Sequence, residues 1–192
     1  PVSLLRQFLY SESDRDRGFD RDLQEWMATR ELQVRRSQPE EWRQSVDTAA
    51  RSLVYIWTNR LIFYKALRAR FSDLPRLELG PSVKTAIQAT RRFDELFKRA
   101  VERSGDYEPL LFPHGYDWAS GLVFVPDGAV DAWRAFLRGI ESVDFREVST
   151  DVVGLIFQKL VSPETRHRYG QHFTGPDPVD LINSFCIRSA DA

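Results

Sequence analysis

Residues 37–71 set the terms for the rest of the chain. Ser37 stands two positions before Pro39, and Glu40 and Glu41 follow where a first helical turn favours carboxylates. Trp42, Val46, Ala49, Ala50, Leu53, Trp57, Leu61, Tyr64, Leu67 and Phe71 then recur at helical spacing, and Val54, Ile56, Ile62 and Phe63 add a second apolar face. A helix that long and apolar on most sides belongs at the centre of a bundle. The expected fold is therefore mainly α, a multi-helix bundle built around this segment. Asn59 and Arg60 interrupt the apolar surface. They read either as a polar spot, with Arg60 paired to a carboxylate on a neighbouring helix, or as a contact to DNA or another domain.

The flanking sequence supplies the other helices. Residues 3–10 form a short apolar segment, and Ser11–Asp22 reads as a charged link broken at Gly18. Leu23, Trp26, Met27 and Leu32 indicate a second short helix. Beyond Pro75, the run Gly80-Pro81-Ser82 is expected to open a helix with Val83, Ala86, Ile87, Thr90, Phe93, Phe97, Ala100 and Val101 as its apolar stripe. Its other face carries Lys84, Arg91, Arg92, Lys98 and Arg99, diluted by Asp94, Glu95 and Glu102. That face suits either phosphates or solvent. Gly and Pro punctuate residues 105–127, an irregular insertion in which Leu122–Val125 is the one strand-like run. A further helix is expected from Ala129 to Ile140, packing Val130, Trp133, Phe136 and Leu137. The expected organisation is a helical domain over 1–148, followed by 149–192.

Composition narrows the classes. Lys plus Arg number 27 against 28 Asp plus Glu, a formal net charge of −1, which argues against an autonomous reader of duplex DNA. Cys186 is the one cysteine, so no internal disulfide forms and a reducing, cytoplasmic setting is expected. No run is long enough to span a membrane, so no membrane partner is expected. Gly-rich phosphate loops, G-x-S-x-G, H-E-x-x-H and C-x-x-C are all absent. His114 and Asp117 have no partner at catalytic spacing. His167, His172 and Cys186 match no standard zinc pattern, and no metal is expected.

The least generic sequence lies near the C-terminal end. Capping residues Ser149, Thr150 and Asp151 precede Val152, Val153, Ile156, Phe157 and Leu160 on one helical face. A polar stretch, Arg166-His167-Arg168-Tyr169-Gly170-Gln171-His172-Phe173-Thr174-Gly175-Pro176, then leads into a second pattern with Val179, Ile182 and Phe185. Thr174 can simply cap that helix. The unpaired N–H groups there also suit a carboxylate or phosphate.

This segment resembles the lead-in to the catalytic domain of adenine-specific DNA methyltransferases of restriction-modification and related phage-defence systems. The family shows a helix ending in Leu, then S-P-E-x-R, then G-x-[FY]-[YF]-T-P-x-x-[VI]. Here the matches are Leu160, Ser162-Pro163-Glu164, Arg166, Gly170-Gln171, Phe173, Thr174, Pro176, Val179 and Ile182, with Gly175 in place of the family's first proline. Asn59-Arg60-Leu61-Ile62-Phe63 also resembles the family's N-R-[LI]-[LIF]-F helix. The resemblance implies that Gly170, Phe173 and Thr174 form part of an S-adenosylmethionine pocket, with Arg60, Arg91, Arg92, Arg166 and Arg168 as candidate DNA contacts. It implies partners among DNA and restriction or defence-system subunits. The family's D-P-x-x-G-x-G and catalytic N-P-P-[YF] do not occur. The chain is therefore expected to stop before the α/β methyltransferase domain and to be inactive alone, with no catalytic residue of its own. The competing readings are a stand-alone α-helical interaction or DNA-contacting module, and a compact α enzyme using His167 and His172.

Overall fold

The structure, a computed structural model, describes residues 1–30, 32, 35–105 and 118–144. The chain divides at Glu147 into two units, and all described residues belong to the first. Among the described residues five α-helices form: α1 (Val2–Arg15), α2 (Arg17–Ala28), α3 (Pro39–Arg70), α4 (Ala86–Ser104) and α5 (Ala129–Glu141), with a 3₁₀ helix, Trp118–Phe124, between the last two. None of the described residues is in a strand. The mainly α bundle expected from the sequence is what forms.

Three local expectations are corrected. The charged run 11–22 is helix rather than link, and it breaks at Asp16, not Gly18. Asp16 leaves the helical region at φ −120°, and its Oδ1 accepts from the backbone N–H groups of Gly18 (2.7 Å) and Phe19 (3.1 Å). A short carboxylate can thus end one helix and start the next, whereas Gly18 falls inside the first turn of α2. α4 opens at Ala86 rather than near Ser82, because Thr85 and Gln88 form a reciprocal capping box. Ile87, assigned to the apolar stripe, is 75% exposed, and Leu96 is buried instead.

The third correction concerns Leu122–Val125. Leu122–Phe124 belong to the 3₁₀ helix. No strand among the described residues offers a ladder, so these backbone carbonyls find side-chain donors. Trp57 Nε1 donates to the Ser120 carbonyl (2.6 Å), and Trp133 Nε1 donates to that of Val123 (3.0 Å). Buried indoles need an acceptor, and the short helix has orphan carbonyls to give.

α3 spans about 48 Å at 1.5 Å per residue and packs against α1, α4, α5 and the 3₁₀ helix. The core is aromatic where these elements meet. Trp57 lies 4.7 Å edge-on from Phe124 and 5.4 Å from Phe93, while Phe124 is stacked on Phe93 at 5.4 Å and tilted to Trp133 at 5.7 Å. Such pairs each add about 0.5–1.5 kcal/mol beyond area burial. At the other end Leu5, Leu9, Leu23 and Met27 are fully buried. Arg36 ties α1 to α2 there through Asp14 (3.0 Å), Asp20 (2.9 Å) and the Ser13 carbonyl (2.9 Å). Gly105 ends α4 at φ 71° and Gly128 precedes α5 at φ 75°, a region closed to most side chains.

Candidate functional site

The polar interruption in α3 folds into a niche against the 3₁₀ helix. Arg60 is only 7% exposed. Its Nη1 donates to Ser120 Oγ (3.0 Å), and the guanidinium lies 5.5 Å from the centre of the Trp57 ring. Ser120 therefore receives both Arg60 and Trp57, at its hydroxyl and its carbonyl. Asp94 of α4 lies within electrostatic reach. It keeps one side in water, yet crowding by protein pushes its carboxyl above the ordinary range, and the Arg60 charge draws it partly back. Beside Arg60, Asn59 Oδ1 is buried with no hydrogen-bond donor.

A second polar cluster lies one to two turns further along. Lys65 and Arg68, three residues apart, both reach Glu141 at the end of α5. Lys65 Nζ is 3.1 Å from Glu141 Oε2 and donates to the Glu141 carbonyl at 3.3 Å. Arg68 Nη1 donates to both carboxylate oxygens, at 3.0 and 3.2 Å. Tyr64, one residue before Lys65, donates to the Pro75 carbonyl at 2.9 Å, and burial pushes its phenol up to about 12 despite the nearby arginines.

Arg134 of α5 then fixes the segment leading to α4. Its Nε donates to the Leu79 carbonyl (3.1 Å), and Nη2 donates to those of Val83 (2.6 Å) and Gly80 (3.4 Å). Nη1 pairs with Asp131. This segment and α5 enclose a cleft of ≈ 310 Å³ lined by Arg76, Leu77, Leu79, Arg134, Arg138 and Glu141, among others. A second cleft, of ≈ 290 Å³, opens between the starts of α4 and α5 and is lined by Lys84, Thr85, Asp127, Gly128 and Asp131.

The candidate DNA contacts that are described do not share one surface. Arg60 is inside, on Ser120 and Trp57. Arg91 is exposed, and Arg92 lies 3.9 Å from Glu95. Neighbouring helical residues diverge by about 100°, so Arg91 and Arg92 face different flanks of α4. Arg166, Arg168, Gly170, Phe173 and Thr174 lie outside the described residues, as do His114, Asp117, His167, His172 and Cys186. Among the described residues no group of three His, Cys, Asp or Glu could hold a metal, and no helix is long and apolar enough to cross a membrane. Sequence reading missed Lys65, Arg68, Arg134 and Glu141. The i, i+3 pair of cations inside an otherwise apolar helix was the available signal.

No family model matches the chain, and neither a curated protein nor a solved structure matches it.

Proposed function

We propose that this chain is the N-terminal helical region of a site-specific adenine DNA methyltransferase that uses S-adenosylmethionine in restriction-modification or phage defence. The observation that carries the reading is the run Ser162-Pro163-Glu164-Thr165-Arg166 followed by Gly170-Gln171-His172-Phe173-Thr174-Gly175-Pro176. In such an enzyme Gly170 shapes a turn, and Phe173 and Thr174 hold one side of the cofactor. In such an enzyme a helix N-terminus following that turn would suit the carboxylate end of S-adenosylmethionine.

The role of residues 1–148 is to support the catalytic domain. The described part of the resemblance, Asn59-Arg60-Leu61-Ile62-Phe63, sits in the second half of the central helix, with Arg60, Leu61 and Ile62 buried. Residues packed there set the position of neighbouring helices, which favours a scaffold over a DNA reader. Methyl transfer itself belongs to the N-P-P-[YF] element, which would grip a flipped adenine; this chain contains no such element.

Calorimetric titration of the parent protein with S-adenosylmethionine, with Thr174→Ala in parallel, tests this. The expected result is cofactor binding that weakens in the variant, together with methyl transfer to adenine in DNA. A parent protein that binds no cofactor sinks the reading in favour of an interaction module.

A further inference from the structure

We propose that the cleft between residues 76–81 and α5 binds a phosphoryl oxyanion, with Arg76 and Arg138 as its ligating guanidiniums. Both residues line the cleft, both are exposed, and neither forms an ion pair among the described residues. A planar guanidinium fork matches phosphate oxygens, and two of them across one cleft make a clamp.

The surroundings offset most of the competing negative charge, leaving Glu78 as the unpaired carboxylate of the lining. Glu141 also lines the cleft, and Lys65 and Arg68 already hold it at 3.1 and 3.0 Å. Arg134 takes the carbonyls of Leu79, Gly80 and Val83, so those oxygens are spent on a cation. The carbonyl end of α5 is quenched too. Ser142 Oγ donates to the Gly139 carbonyl at 2.7 Å, and Lys65 donates to that of Glu141 at 3.3 Å. Leu77, Leu79 and Leu137 are at most 3% exposed and form an apolar wall, which lowers the local dielectric. In the walls and their direct partners, five cations (Lys65, Arg68, Arg76, Arg134, Arg138) stand against three carboxylates (Glu78, Asp131, Glu141). The cleft at the start of α4 has no such surplus, since Lys84 faces Asp127 and Asp131 there.

A phosphoryl group comes from free phosphate or from a nucleic-acid backbone. The cleft stands on its own charge and shape, whatever becomes of the methyltransferase reading. The full chain is titrated with inorganic phosphate in one arm and with a short DNA duplex in the other, at low salt. Binding in at least one arm is expected, weakened about tenfold by the double substitution Arg76→Gln/Arg138→Gln. Arg43→Gln, on an exposed turn of α3, should leave it unchanged. Glu78→Gln removes the unpaired carboxylate of the lining and is expected to tighten binding severalfold, a gain that misfolding cannot produce. Binding of both probes means a site for a free phosphoryl group; binding of the duplex alone means a backbone contact. Failure of both probes to bind overturns the proposal. So does full affinity in the double variant, or weaker binding in Glu78→Gln.

Discussion

Arg68 holds both carboxylate oxygens of Glu141, at 3.0 and 3.2 Å, across 73 positions of sequence. Lys65 joins the same carboxylate and is 9% exposed. One acid thus serves two cations that α3 could not otherwise keep in its packed face. Removing it leaves both charges partly buried and unpaired. Glu141→Gln is expected to lose about 2 kcal/mol of stability in urea denaturation. Arg43→Ala, which breaks only the exposed pair with Glu40, should stay within about 0.5 kcal/mol. Equal effects of the two variants would show that the Glu141 cluster is no better than a surface pair.

The start of α4 depends on Thr85. Its hydroxyl accepts from the Gln88 backbone N–H at 3.3 Å, while Gln88 Oε1 accepts from the N–H groups of Thr85 (3.1 Å) and Lys84 (2.8 Å). Thr85→Ala is expected to lower stability by about 1 kcal/mol, and Thr85→Ser to restore most of it. Thermal melts of the three proteins check this; an alanine variant that melts with the parent rules out the cap as a determinant.

Asp94 gives a pH-dependent outcome. Its folded-state value is raised, mainly by burial, so the folded chain binds that proton more tightly than the unfolded chain. The contribution to stability is full below the ordinary value of 3.8 and is lost as pH rises through the folded value. Asp94→Asn should therefore be the more stable protein at neutral pH, with the advantage shrinking as pH falls toward 3.8. Urea midpoints measured across that window decide it. A variant less stable at neutral pH would mean that attraction to Arg60 outweighs burial.

The helices were legible where apolar residues kept one period. Trp42 through Leu67 fixed α3, and Val130, Trp133, Leu137 and Ile140 fixed α5. Boundaries set by side-chain caps were less so, because Asp16 and Thr85 look like ordinary polar residues until their N–H partners are in place. The 3₁₀ helix was hidden for a different reason. Leu122–Val125 has strand-forming residues, but its conformation rests on indoles 63 and 10 positions away from the carbonyls they bind. Arg60 was recognised as a polar interruption needing a partner, though a hydroxyl on the irregular segment was not foreseeable. The cleft of Arg76 and Arg138 escaped entirely, since its walls come from a linker and a helix with no shared pattern.

Asn59 is the remaining oddity of the central helix. Its Oδ1 is buried without a donor, beside the satisfied Arg60. An unpaired buried acceptor costs about 1–3 kcal/mol, so a residue of similar size with no polar atom should be preferred on stability alone. Asn59→Leu is expected to raise the stability of this chain by about 1 kcal/mol in urea denaturation. Under the proposed function Asn59 belongs to the N-R-[LI]-[LIF]-F resemblance, and the amide would serve the parent protein rather than the stability of the helix. If the proposed function holds, Asn59→Leu in the parent protein should lower methyl transfer to DNA while the protein melts at a higher temperature. A variant that is less stable than the parent would place Asn59 among the groups that hold the helix in position. One that is more stable with unchanged methyl transfer would leave the amide without a function.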